Sequence, residues 1–118
     1  MSIRALVYTA GPYTASTPTG IRDNIRRAEE ASITLWNLGF GAACPHLNTR
    51  YFHLWCPDVP HEMWLEADLR LLEACDAVLM LKWWQSSKGA QIEHEYALEH
   101  QVEVFYDIPS LERAYPVS

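Results

Sequence analysis

Ala77-Val78-Leu79-Met80-Leu81, at residues 77–81, is a continuously apolar run and the clearest strand in the sequence. Such a run is typical of the central strand of a parallel sheet, which helices cover on both faces. Residues 61–74 before it carry apolar side chains at helical spacing, and we predict a second helix after it, over residues 90–100. The run therefore predicts a helix, strand and helix in the second half of the chain.

The rest of the chain continues this alternation. We predict further elements, in chain order, as a strand at residues 3–10, a helix at 20–37, strands at 40–44 and 102–106, and a short helix at 110–114. Strands separated by helices of about a dozen residues imply crossover connections. The sequence predicts an α/β fold: a single doubly wound domain over residues 1–118, flavodoxin- or Rossmann-like, forming a three-layer sandwich on a parallel sheet of four to five strands.

The composition limits the classes of molecule that the protein is expected to bind. The 118 residues carry a formal net charge of -6, with a pI near 5.2, and we see no basic stripe that would bind a nucleic acid polymer. The apolar start, which ends at Ala10, is too short for a signal segment or a membrane span. We therefore expect a cytoplasmic protein that binds a small molecule and neither a polymer nor a membrane.

Cysteine and histidine usage gives no sign of a cofactor. Three cysteines at irregular spacing suit free thiols in a reducing compartment better than disulfides. Two of them combine with histidines to form a cluster whose spacing matches no usual zinc pattern: Cys44, His46, His53, Cys56 and His61. We predict no metal and no cofactor, and His46, which follows the second strand, is predicted to line a pocket and contact a base or a sugar.

Two acidic residues are candidates for chemistry. Ligands of doubly wound sheets lie beyond the carboxyl ends of the strands, and Glu93 is predicted on the first helical turn at that edge. It is either a nucleophile or proton carrier, or a solvated acid that complements the helix dipole. Asp68 shares a helix face with apolar Trp64 and Leu71, so it is either a buried acid or a rim residue that pairs with a neighbour such as Arg70.

Aromatic and basic side chains are further candidates for ligand contacts. Trp83 and its neighbour Trp84, together with Tyr51 and Phe52, either stack on a base or belong to a core or subunit interface. Arg22, near the start of the first helix, either collects a phosphate together with Thr14 and Ser16 or is a solvated surface residue.

Three segments carry a resemblance to a known family: VYTAGP at residues 7–12, DLRLLEACDAV at residues 68–78 and SKGAQIE at residues 87–93. In this order they resemble the nucleoside 2-deoxyribosyltransferase superfamily, and most closely a short branch common in phage genomes. Characterised relatives include deoxyribosyltransferases and 2'-deoxynucleoside 5'-phosphate N-hydrolases.

The resemblance assigns roles to matching residues. It implies that Glu93 is the nucleophile that attacks the anomeric carbon, that Asp68 holds the sugar and protonates the departing base, and that Tyr8 positions Glu93. It implies that Ser87 contacts the 5' end of the sugar, often across a subunit boundary. The substrate-contacting residues that we predict are, in full, Gly11, Thr14, Arg22, His46, Trp83, Ser87 and Gly89. The loop at residues 12–14 departs from the N-hydrolases, because Pro-Tyr-Thr replaces their phosphate-binding serine and arginine residues.

These observations predict an enzyme that cleaves the N-glycosidic bond of a 2'-deoxynucleoside or its 5'-monophosphate. Hydrolysis is preferred over transfer to another base, because a short chain offers little to exclude water. The alternatives are a non-catalytic nucleotide-binding or sensing module, and a structural protein whose cleft is blocked by the paired tryptophans. A homodimer or larger homo-oligomer is expected, since relatives complete each site with a neighbour's residues and four tryptophans exceed what one small core hides: Trp55, Trp64, Trp83 and Trp84.

Overall fold

A computed structural model describes residues 2–117 of the chain, so the first and last residues of the predicted domain lie outside the described range. Helices and strands alternate as the sequence predicts. Their order is β1 (Leu6–Ala10), α1 (Pro18–Asn37), β2 (Gly41–Ala43), α2 (Pro45–Asn48), α3 (His61–Glu73), β3 (Ala77–Met80), α4 (Lys88–Glu99), β4 (Glu103–Phe105) and α5 (Ile108–Ala114). Two single turns of 3-10 helix, Phe52–Leu54 and Trp84–Ser86, precede α3 and α4.

The four strands form one parallel sheet in the order β2-β1-β3-β4. This confirms the α/β prediction, with four strands. The chain moves outward from β1 to β2 in one direction and from β3 to β4 in the other. The strand order therefore reverses between β1 and β3, where Tyr8 is the register partner of Val78. In such sheets the loops on either side of this reversal separate and leave a crevice at the carboxyl edge.

Alternate residues of the central strands face two separate cores. Val7 and Leu79 pack with α1 and α5 on one face, through Ala28, Leu35 and Leu111. Tyr8 and Val78 pack with α3 and α4 on the other face, through Leu72, Ala90 and Ala97. Because successive side chains of a strand point to opposite faces of the sheet, Tyr8 lies on the face that α3 and α4 cover.

The starts of β1 and α1 differ from the prediction for local reasons. β1 begins at Leu6 rather than at residue 3, because Ile3 is 50% exposed and the Arg4 amide bonds to Gly39 outside the sheet. α1 begins at Pro18, since the Thr17 side chain accepts a hydrogen bond from the Gly20 amide and caps the helix. Residues 46–60, which show no sequence period, contain most of α2 and one 3-10 turn. No helix within residues 2–117 combines the length and apolarity that a bilayer crossing requires.

Candidate active site

A cavity of about 510 Å³ lies at the carboxyl edge of the sheet. The loop after β1, the start of α2, one side of α3 and the first turns of α4 form its walls. This volume lies within the range that small-molecule sites occupy. The cavity therefore occupies the place where the strand order predicts a ligand.

Glu93 belongs to this cavity although it is only 7% exposed. The Tyr8 hydroxyl donates a hydrogen bond to its Oε2. Because α4 begins at Lys88, Glu93 lies in the second turn and not, as predicted, in the first. The alternative of a solvated acid at the helix start is therefore wrong. No lysine, arginine or histidine within residues 2–117 forms an ion pair with Glu93.

Asp68 lies on the cavity side of α3 and is partly buried. Trp64 and His61, one and two turns earlier on the same helix, line the cavity with it. The predicted alternative, pairing with Arg70, is wrong, because Arg70 pairs with Glu66 at 3.2 Å on the exposed side of the helix. Asp68 and Glu93 thus line the same cavity.

Burial raises the pKa of each of three groups in the site, Glu93, Asp68 and Tyr8. It raises the pKa of Glu93 to about 8; the Tyr8 hydrogen bond opposes this rise and the charge of Asp68 adds to it. Burial also raises the pKa of Asp68 to about 6, although nearby His61 lowers it. The pKa of Tyr8 rises well above its usual value, mainly through burial and then through the charge of Glu93, so its hydroxyl remains a donor. Between pH of about 6 and about 8, the two acids together hold one proton.

Five of the predicted substrate-contacting residues line the cavity: Gly11, Thr14, His46, Ser87 and Gly89. Gly11 packs so closely that an added Cβ would lie 2.9 Å from the Cβ of Leu81. The Ser87 hydroxyl accepts a hydrogen bond from the Ala90 amide at 3.2 Å and caps α4. At Gly89 an added Cβ would meet no heavy atom within 4 Å.

Trp83 and Arg22 lie outside the cavity lining, against the prediction. Trp83 has a left-handed backbone (φ 67°) before the 3-10 turn and is 52% exposed. Its ring packs beside the Arg27 guanidinium, 4.4 Å from the ring centroid, and beside the Lys82 ammonium at 4.6 Å. Arg22 is exposed on α1.

The other aromatic residues for which base stacking was one alternative also lie outside the cavity. Tyr51 and Phe52 do not line the cavity. Trp84 lines a separate groove on the outer side of α4, where its ring stacks on His94 with centroids 4.3 Å apart. The cleft blocked by paired tryptophans, predicted for a structural protein, is therefore absent from residues 2–117.

Sequence reasoning missed the aromatic wall that the cavity does have. Tyr13, His46 and His53 cluster there, with ring centroids 5.5 Å apart between Tyr13 and His46 and 6.2 Å apart between Tyr13 and His53. Hydrogen bonds fix Tyr13: its carbonyl accepts from Asn24 at 3.1 Å, and its hydroxyl accepts from the Tyr51 amide at 3.0 Å. His46 was predicted to line a pocket, and among the lining residues that were not predicted Trp64 had a usable sequence signal, since it lies one helical turn before Asp68. Within residues 2–117, no three histidine, cysteine or acidic side chains group so as to hold a metal ion.

Fold and site together define a small doubly wound α/β protein with one buried and one partly buried acid at the carboxyl edge of its sheet. The chain belongs to a family described as a domain of unknown function (DUF4406), whose model matches residues 5–106. The matched span contains Tyr8, Asp68 and Glu93. No curated protein sequence matches the chain.

Proposed function

We propose that this protein cleaves the N-glycosidic bond of a 2'-deoxynucleoside or its 5'-monophosphate, with Glu93 as the nucleophile. One observation carries the proposal: a buried Glu93, held by the Tyr8 hydroxyl, shares a ligand-sized cavity with a second acid, Asp68. A pair of carboxyl groups beside the scissile bond is the usual arrangement for displacement at an anomeric carbon. The resemblance of the three segments around these residues to nucleoside 2-deoxyribosyltransferases supports the same chemistry.

The reaction divides into two displacements. The Glu93 oxygen that does not bond to Tyr8 attacks the anomeric carbon, while the electrons of the carbon–nitrogen bond leave with the base. A proton from Asp68 neutralises the departing base, and the deoxyribose remains as an ester on Glu93. Water then attacks the same carbon and returns a proton to Asp68, which frees the sugar and restores the Glu93 carboxylate.

The pair of acids holds the one proton that this sequence of steps uses. The pair holds one proton between pH of about 6 and about 8, and the higher pKa of Glu93 places it mainly on Glu93, so the reaction starts from the less populated arrangement in which that proton has moved to Asp68 and Glu93 is ionised. Positive charge that develops on the sugar ring in the transition state favours the state in which Glu93 is the ionised partner. The raised pKa values therefore keep one proton on the pair near neutral pH, which is the proton that the departing base takes.

The substrate in this proposal is a small molecule, and the residues need no metal or cofactor for these steps. Ser87 and Lys88, at the start of α4, line the cavity, and in this proposal they contact the 5' end of the sugar. Water resolves the intermediate in preference to a second base, since a domain of this size offers little to exclude water. Transfer of the deoxyribose to another base is the alternative outcome of the same first step, in which a second base replaces water.

A homo-oligomer is part of the proposal. Trp55 is 84% exposed, and Leu54 and Phe52 beside it are 65% and 45% exposed. His53, within the same 3-10 turn, lines the cavity, so this apolar surface adjoins the site. Size-exclusion chromatography with light scattering should show a dimer or a larger species. A monomer at all protein concentrations would contradict this part of the proposal.

A panel of 2'-deoxynucleosides and 2'-deoxynucleoside 5'-monophosphates, analysed by chromatography for free base, tests the function. The wild-type protein should release base from at least one substrate, and Glu93→Gln should lose that activity while keeping its Tyr8 partner. Glu95→Gln is the matched control, because it changes an exposed glutamate on the same helix outside the cavity. Base release by Glu93→Gln at the wild-type rate, or none from any substrate, would overturn the proposal.

One observation favours a second candidate, a non-catalytic nucleotide-binding module. With a pKa of about 8, Glu93 is mostly protonated at pH 7 and so is equipped to donate a hydrogen bond to a ligand. In that case nucleotides would bind without losing their base. The same panel, measured by calorimetry as well as by chromatography, separates the two functions.

A further inference from the structure

Two loops that leave adjacent strands form part of the cavity lining. Tyr13 and Thr14 belong to the loop after β1, at residues 11–17, and Ser86 belongs to the loop after β3, at residues 81–87. Loops at the reversal of strand order separate as they leave the sheet. Within residues 2–117, no backbone hydrogen bond joins these two loops beyond the one from the Leu81 amide to the Ala10 carbonyl. Their separation therefore depends on side chains.

Asn24, on α1, holds the loop after β1. Its Nδ2 donates a hydrogen bond to the Tyr13 carbonyl at 3.1 Å, and the Thr14 carbonyl lies 3.5 Å from the same nitrogen. Its Oδ1 accepts a hydrogen bond from the Arg27 guanidinium at 3.0 Å. The reverse orientation of the amide would set donor against donor and acceptor against acceptor. Arg27 therefore fixes which end of the Asn24 amide meets the loop.

The same arginine reaches the loop after β3. The guanidinium carbon of Arg27 lies 4.4 Å from the centroid of the Trp83 ring, which is a cation–π contact. A guanidinium can stack its face on a ring while it donates hydrogen bonds in its plane. Within residues 2–117, no acidic side chain forms an ion pair with Arg27. Its two partners in the fold, Asn24 and Trp83, thus belong to the two sides of the cavity.

Trp83 transmits this contact to the cavity lining through its backbone. Its carbonyl accepts hydrogen bonds from the Ser86 amide at 3.0 Å and from the Ser86 hydroxyl at 2.8 Å. Its φ of 67° is sterically unfavourable for a bulky residue and persists only where the surroundings enforce it. The contacts of its ring with Arg27 and Lys82 contribute to that enforcement.

We propose that Arg27 is a positioning residue that sets the separation of the two loops, through Asn24 on one side and through Trp83 on the other. The contacts form an unbroken series from Tyr13 to Ser86. Arg27 does not line the cavity, so it acts on a ligand only through the loops. This role applies to any ligand of the cavity, and only the use of deoxynucleosides as probes rests on the proposed function.

Amide hydrogen exchange, resolved by residue with NMR, tests the connection without a ligand. The Tyr51 amide, which donates to the Tyr13 hydroxyl, reports on the loop after β1. The Ser86 amide, which donates to the Trp83 carbonyl, reports on the loop after β3. Asn24→Ala should speed exchange at Ser86 as well as at Tyr51, by about two- to tenfold, the effect of losing one modest contact. Trp83→Gly, in which glycine suits the left-handed backbone, should speed exchange at Tyr51 by a similar factor.

Steady-state kinetics then separate positioning from catalysis, with the deoxynucleoside that the wild-type protein cleaves fastest. Arg27→Met keeps an apolar stem against Trp83 and loses the charge and the hydrogen bond. KM should rise about tenfold with kcat within about twofold of wild type, because neither Glu93 nor Asp68 lies in the two loops. The limbs of the pH profile should not move. Arg26→Met is the matched control, since Arg26 is exposed on the same helix and pairs with a glutamate one turn later.

The outcomes distinguish this inference from the proposed function. Faster exchange confined to the loop that carries or contacts the substituted residue would show that the loops are independent, and it overturns the role of Arg27 whether or not base is released. Equal KM values for Arg27→Met and Arg26→Met do the same. Release of no base from any deoxynucleoside overturns the proposed function, and the exchange rates then decide the role of Arg27 alone. Thermal unfolding of each variant shows that folded proteins are compared.

Discussion

The Tyr8 hydroxyl donates a hydrogen bond to Oε2 of Glu93, a residue 85 positions later in the chain. Tyr8 is fully buried in the central strand β1, and Glu93 is buried in α4. The rigid sheet thus holds one carboxylate oxygen and leaves the other for the cavity. This contact joins the sheet to the helix that carries the proposed nucleophile.

Removing the Tyr8 hydroxyl should impair the chemical step more than binding. In Tyr8→Phe, Glu93 loses the hydrogen bond that holds it and lowers its pKa, so kcat should fall by about 10- to 100-fold with little change in KM. Steady-state kinetics of base release measure this. Tyr96→Phe is the matched control, because Tyr96 donates to Glu73 on the surface and should behave as wild type. A Tyr8→Phe variant with unchanged kcat would contradict the positioning role.

The pH profile of base release should be bell-shaped. Below about pH 6 both acids are protonated and no nucleophile is present, whereas above about pH 8 both are ionised and no proton remains for the base. Asp68→Asn should lower kcat/KM and remove the acid that protonates the base, so that the alkaline limb of the pH profile disappears. Measuring kcat/KM from pH 5 to 9 checks this, and a flat profile for wild type would count against a two-acid mechanism.

Glu93 should make the fold less stable as pH rises. Its pKa in the folded protein, about 8, exceeds its ordinary value of 4.5, so between these values the folded state binds more protons than the unfolded state. The free energy of unfolding must then fall as pH rises through this window, by an amount on the order of a few kcal/mol. Glu93→Gln removes this dependence. Urea unfolding at pH 5 and pH 9 should show a smaller pH effect in Glu93→Gln than in wild type or Glu95→Gln; equal effects would refute the burial argument.

Gly89→Ala should separate stability from binding. The alanine improves helix propensity in the first turn of α4 by about 0.5–1 kcal/mol and meets no protein atom within 4 Å. Its methyl group borders the cavity, so KM should rise while Tm rises slightly. Gly11→Ala is the contrasting variant, because its Cβ would press against Leu81 and lower Tm. A Gly89→Ala protein with wild-type KM would show that substrate does not approach this backbone.

Much of this site was predictable because it follows from strand order. The apolar run of β3 and the strand ending at Ala10 place Tyr8 at the carboxyl edge, and helical spacing places Asp68 on an inward face. The prediction that Glu93 lies in the first turn of α4 was wrong because Ser87, rather than a later residue, caps this helix. That cap was visible in the sequence as a serine before a helix.

Other features depend on tertiary contacts that no local pattern encodes. Trp83 was expected to stack on a base, but the left-handed turn before Trp84 and the Arg27 side chain hold its ring outside the cavity. Residues 46–60 show no period, so the aromatic wall of Tyr13, His46 and His53 was not foreseen as a cluster. It arises only when loops after two different strands meet.

The most direct test of the account is detection of a sugar ester on Glu93. A 2'-fluorinated arabinonucleoside should react slowly, since fluorine at C2' destabilises the cation-like transition state, and the glycosyl-enzyme should accumulate. Mass spectrometry of the intact protein, followed by peptide mapping, should find one added fluorosugar on the peptide that contains Glu93, and none in Glu93→Gln. Release of base with the sugar attached to a different residue, or an equal adduct in Glu93→Gln, would contradict the claim that Glu93 is the nucleophile.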